Sequence, residues 1–131
     1  MRRNKLLTVI ALIVLAAFAV GCRTNPVYNV ANAPVPATKA KFTQTEVEKA
    51  IIKAGTQLGW RVTKEAPGKL TARLTSREVV AVVDITHNDK TYSINYKDST
   101  NLRYDGTNIH PRYNTWIQNL DKRIMIELQS L

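Results

Sequence analysis

Cysteine is almost missing from this chain of 131 residues: Cys22 is the only one. One thiol cannot form an intramolecular disulfide, so the fold must stand on its apolar core. Histidine is nearly as scarce, with His87 and His110 alone. Zinc sites need three or four Cys, His or carboxylate ligands at close spacing. Without a second cysteine or a paired-histidine motif, no metal and no bound cofactor is expected. Catalytic signatures are wanting as well. Ser99, Asp105 and His110 fall within a dozen residues, but no Gly-x-Ser-x-Gly elbow accompanies them, and the chain is expected not to be an enzyme. Acidic residues are outnumbered, 10 against 19 Lys and Arg, for a formal charge of +9.

What the chain does have is one apolar run, Leu6 to Val20, interrupted only by Thr8 and preceded by Arg2, Arg3 and Lys5. As a helix, 15 residues rise only about 22 Å, short of a hydrocarbon core of about 30 Å. A positive start, a short apolar segment and small residues at its exit mark a cleaved signal peptide. Ala19-Val20-Gly21-Cys22 resembles the bacterial lipobox, although Ala19 stands where leucine is commonest. That resemblance implies cleavage after Gly21, diacylglycerol on the Cys22 thiol and acylation of the new amine. More than one acyl chain gives stable anchoring, where one alone is marginal. The covalent lipid at Cys22 is then the chain's only non-protein group.

Removing Arg2, Arg3 and Lys5 from the 19 basic residues leaves 16 against 10 acidic, formally +6. An exported location argues against nucleic acid as the partner. Anionic envelope material or an envelope protein fits better. The cations are scattered rather than blocked, the pattern of a charged, solvated surface.

Residues 22–40 carry Pro26, Pro34 and Pro36 without helical or strand period. They read as a lipidated N-terminus and flexible tether, with a reach of about 50–60 Å at polyproline rise. Residues 41–131 form one domain. Thr43 or Thr45 can cap a helix, Thr43-Gln-Thr-Glu46 having the capping-box form. Val47, Ala50, Ile51, Ala54 and Leu58 then recur at helical spacing until Gly59. Trp60–Lys64, Leu70–Thr75, Val79–Thr86 and Thr91–Lys97 alternate as strands, with turns at Pro67-Gly68 and Asn88-Asp89-Lys90. After a loop from Asp98 to Ile109, Pro111 suits the first turn of a second helix. Its apolar stripe is Tyr113, Trp116, Ile117, Leu120 and Ile124. The fold class is α+β: helix, four-stranded antiparallel meander, C-terminal helix, both helices packed on one face of the sheet.

The strings Tyr92-Ser-Ile-Asn-Tyr96-Lys97-Asp98-Ser99-Thr100-Asn101-Leu102-Arg103-Tyr104 and Tyr113-Asn114-Thr115-Trp116-Ile117-Gln118-Asn119-Leu120 resemble a group of small uncharacterised lipoproteins of Gram-negative envelopes. The likeness runs from about Ala50 to Ile124, including Gly55, Gly59-Trp60 and Pro67-Gly68. It implies an envelope lipoprotein and an α/β layout, and it carries no activity. Arg23 follows Cys22 where, by resemblance to the enteric sorting rule, aspartate would retain a lipoprotein at the inner membrane. Outer-membrane anchoring facing the periplasm is therefore expected.

Two surfaces are candidates. One is the outward face of the sheet, where Arg61, Arg73 and Lys97 lie among Thr63, Thr71, Thr75, Val80, Val82, Asp84, Ser93 and Asn95. The other is the polar loop with Asp98, Asn101, Arg103, Tyr104, His110 and Arg112. There the free N–H groups of a helix N-terminus would favour an anion, or the polar residues simply close turns and cap the helix, through Asn108 or His110. Acting through the sheet face or the Asp98–His110 loop, the chain would be a lipid-anchored binding or assembly module. Alternatively, the 98–112 loop and the helix N-terminus would make it a periplasmic binder of a small anionic ligand or glycan.

Overall fold

The computed structural model describes residues 23–36, 38 and 41–131. Cys22, the signal segment and part of the stretch before Lys41 lie outside the described residues. The elements are β1 (Asn25–Pro26), β2 (Val30–Pro34), α1 (Gln44–Gln57), β3 (Arg61–Ala66), β4 (Lys69–Ser76), β5 (Val79–His87), β6 (Thr91–Thr100), β7 (Asn108–Ile109) and α2 (Pro111–Gln129). The main sheet is antiparallel in the order β2-β6-β5-β4-β3, and β1 pairs with β7 separately. Both helices pack on one face of that sheet, as the sequence pattern predicts.

The local signals explain the helices. Thr43 caps α1: its side chain accepts from the Glu46 N–H while Glu46 returns a bond to the Thr43 N–H. That satisfies two donors a helix start otherwise leaves free. Gly59, at φ +88°, turns the chain out of α1. Pro111 opens α2, whose cap is His110: Nδ1 accepts from the Arg112 N–H at 3.1 Å. Val47, Ile51 and Ala54 from α1 and Tyr113, Ile117, Leu120, Ile124 and Leu128 from α2 are fully buried. They cover Leu70, Ala72, Ala81, Val83, Ile85, Tyr92 and Ile94 on the sheet. The charges on the helices' covered sides are paired, Glu48 with Lys64 at 3.3 Å and Glu127 with Lys53 at 3.2 Å.

The main sheet has five strands rather than four, and the fifth comes from the segment expected to be a flexible tether. Val30 lies opposite Ile94, Ala33 opposite Tyr92 and Pro34 opposite Thr91, with an irregularity between Val30 and Ala33. Asn32 adopts φ +49° within it. Val30 is buried, and Val27, Ala33 and Val35 pack against the core. The physical reason is the open edge of β6, whose N–H and C=O groups need partners. An edge strand tolerates proline, so Pro34 does not forbid it. Further along, Val27 N–H donates to Thr107 O at 3.0 Å and Val35 N–H to Lys90 O at 2.8 Å. The Asn114 side chain clasps the arm, accepting from Tyr28 N–H and donating to Pro26 O, both at 2.9 Å. The arm from Asn25 to Val35 therefore runs bonded along the domain.

A second correction concerns the loop expected from Asp98 to Ile109. Tyr96 lies opposite Val83 but Asp98 opposite Val82, so Lys97 is a bulge. Beyond it β6 continues to Thr100. The extra residue restores the alternation and lets three more residues pair.

Candidate functional site

The alternation that buries one sheet face turns the other outward with nothing over it among the described residues. Arg61 is directly opposite Arg73, Arg73 opposite Val82 and Val82 opposite Asp98. The neighbouring row is Thr63, Thr71, Asp84 and Asn95. Val80 and Val82 are half-buried at the centre, and both arginines are exposed. Lys97, lifted by the bulge, reaches Asp84 at 3.5 Å. The cation expected to be free for a partner is thus engaged by the face's own carboxylate. Among the described residues neither Arg61 nor Arg73 is in an ion pair. Like charges directly across a ladder are unfavourable by a few tenths to about 1 kcal/mol, a cost that an acidic partner would relieve.

The loop after β6 is built by its own hydrogen bonds. Asn101 and Arg103 take positive φ of 58° and 54°, and Gly106 takes 101°. Asn101 Nδ2 donates to Glu78 O at 2.8 Å, tying the loop to the β4–β5 turn. Asp105 accepts from the N–H groups of Asn108 and Thr107 at 2.7 and 2.9 Å. Those bonds hold its carboxyl below the ordinary carboxylate range. Leu102 is buried, and its carbonyl accepts from His110 N–H at 2.8 Å.

Asp98, Asn101, Arg103 and Tyr104, with Tyr96, Lys97, Ser99 and Leu102, line an open depression of about 370 Å³. Its floor is aromatic. Tyr104 stacks on Tyr96 with centroids 4.1 Å apart, and Tyr96 meets Tyr113 edge-on at 5.6 Å. Tyr96 shares a 2.8 Å hydroxyl bond with Ser99, yet burial keeps its acidity below that of a free phenol.

His110 and Arg112 are not in that lining. His110 is the helix cap, and Arg112 turns away: Nη2 donates to Ser76 Oγ at 3.2 Å and the guanidinium lies 5.1 Å from the Trp116 ring. At the start of α2, Pro111 has no N–H, Arg112 N–H is bonded to His110 Nδ1, and Tyr113 N–H to His110 O. An anion there would have to displace the cap. The six loop residues thus fall into two groups, four around the depression and two in the local work of starting a helix.

Comparison of the chain with family models, with curated proteins and with solved structures found no match.

Trp60 and Trp116, which their spacing could place in a cleft or in the core, also border a second hollow. Leu58, Trp60, Leu74, Thr75, Ser76, Trp116 and Asn119 line about 270 Å³ between the helices and β4. Trp60 is buried, and Trp116 is half-buried under Arg112. The helical period explains the inward side of Trp116, but Arg112 over its ring depends on Ser76, 36 residues away.

Proposed function

We propose that the chain is a lipid-anchored envelope lipoprotein, non-enzymatic, whose domain binds an acidic protein surface through the uncovered face of its sheet. One observation carries the choice of surface: two exposed arginines, Arg61 and Arg73, face each other across β3 and β4 beside half-buried Val82. The half-buried valines supply apolar contact area, and the arginine pair supplies fork-shaped donors for carboxylates. The anchor rests on Cys22 at the end of a short apolar segment after basic residues. The satisfied start of α2 weighs against the loop as a site for a small anion.

The test is site-specific photocrosslinking in cells, with a photoreactive residue replacing Val82. A discrete adduct is expected, lost when Arg61→Glu and Arg73→Glu are introduced together while the far-ultraviolet spectrum and melting temperature are kept. Arg103→Ala and His110→Ala should leave the adduct in place. If the loop substitutions remove it and the charge reversals do not, the sheet face is the wrong surface.

A further inference from the structure

The docked arm has a consequence for how the domain stands on a membrane. Asn25 lies opposite Ile109 in an antiparallel pair, so the chain upstream of Asn25 heads toward His110 and the start of α2. Only Arg23 and Thr24 separate Asn25 from Cys22, and three Cα steps span at most about 11 Å. The arm beyond Asn25 is not slack. It is held by Thr107, Asn114, the edge of β6 and finally Lys90.

The arm runs the length of the sheet, from one end to the other. Its starting end carries the β4–β5 turn at Arg77 and Glu78, the end of β6 and the start of α2, knitted by Asn101 to Glu78 and Arg112 to Ser76. The opposite end carries the β3–β4 and β5–β6 turns, where His87 N–H donates to Gly68 O and Val35 N–H to Lys90 O. Strand β5, nine residues long, separates the two by about 30 Å.

We infer that the end of the domain carrying the β4–β5 turn and the start of α2 rests against the anchoring bilayer, with its arginines on anionic headgroups. This rests on the reading of Cys22 as the lipid anchor. The occupant is the membrane itself, because the chain outside the described residues begins there, within about 11 Å of a bonded strand. The cations at this end are Arg23, Arg77 and Arg103, all exposed and none in an ion pair among the described residues, and Arg112, whose guanidinium is held by Ser76 and Trp116. Guanidinium forks match phosphate oxygens in pairs. The strands then stand away from the bilayer, and the uncovered sheet face opens sideways along the membrane.

The experiment uses the full-length chain, processed in cells and reconstituted in vesicles containing phosphatidylglycerol. An acylated Cys22 thiol cannot be labelled, so a cysteine from Glu78→Cys or Lys90→Cys takes a spin label alone. Relaxation by lipid-soluble and water-soluble agents reads the depth of each label. Mass spectrometry of the N-terminal peptide reads acylation in the same sample. With Cys22 acylated, the label at 78 should lie in the headgroup layer and the label at 90 in bulk water. Adding Arg77→Gln and Arg103→Gln should draw the first label outward, and an unmoved label would overturn the role of the arginines. Acylated chain with both labels equally in water, or with the label at 90 nearer the lipid, overturns the inference and leaves the anchor standing. An unmodified Cys22 overturns both.

Discussion

His87 shows how much one residue can carry. It lies on the covered side of β5 with Val83 and Ile85, 7% exposed, and neither ring nitrogen has a hydrogen-bond partner among the described residues. Desolvation lowers its pKa below 6.5, and nearby Lys64 acts in the same sense against the opposing pull of Glu48. The unfolded chain therefore binds a proton that the native chain resists. His87's contribution is whole above pH 6.5 and is lost as pH falls below it. Urea midpoints should drop between pH 7 and pH 5, and His87→Leu should flatten that slope. Alternation made Ile85 legible as inward, but the strand was expected to end at Thr86, and its extension to His87 carries the same alternation one step further. The missing partners were not legible, because they depend on what α1 and the β3–β4 turn bring near. Gly68 gives a second case. A Cβ there would come within 2.8 Å of His87 O, at φ +75°. Strain and backbone contact together should cost Gly68→Ala about 1–3 kcal/mol, measured by chemical denaturation.

Elements set by neighbouring residues were readable, and those set by distant partners were not. The start of α1 is a four-residue matter, so Thr43 and Glu46 announce it. Thr43→Ala should cost about 1 kcal/mol, seen as a lower thermal midpoint. Strand β2 shows the opposite. Its proline and asparagine spell a loop, and its reason for being a strand is the edge of β6, some 60 residues away. The same holds for β7, two residues paired with β1 across more than 80 positions. Asn114 is the key to this closure, because its side chain bonds both sides of the arm. Asn114→Ala should speed hydrogen exchange at Tyr28 and Val27 without altering exchange in α1. Uniform acceleration through the domain would mean that the arm does not loosen separately. In the loop from Asn101 to His110 the turns and a helix cap at Asn108 or His110 were readable, and the cap is His110. The tyrosine-lined depression was not, and neither was the contact of Arg112 with Ser76.

At the scale of the whole molecule, two helices and a five-stranded sheet share one core and leave one sheet face uncovered. The arm closes the edge of that core and, if Cys22 is acylated, brings the lipid to one end of it. A free tether of about 50–60 Å would let the domain search a wide volume. A bonded arm gives it a fixed footing, suited to a partner lying in or beside the same membrane. Among the described residues no helix is long and apolar enough to cross a bilayer, and the attachment proposed here is the lipid on Cys22. Cys22→Ser should therefore move the protein from the membrane to the soluble fraction with the domain's melting temperature unchanged. The most direct test of the account is the identity of the mature N-terminus, read by mass spectrometry of the membrane-extracted protein. A chain beginning at Cys22 and carrying diacylglycerol and an N-acyl chain is the predicted result. An unmodified Cys22, behind an intact or differently cleaved signal segment, would contradict it.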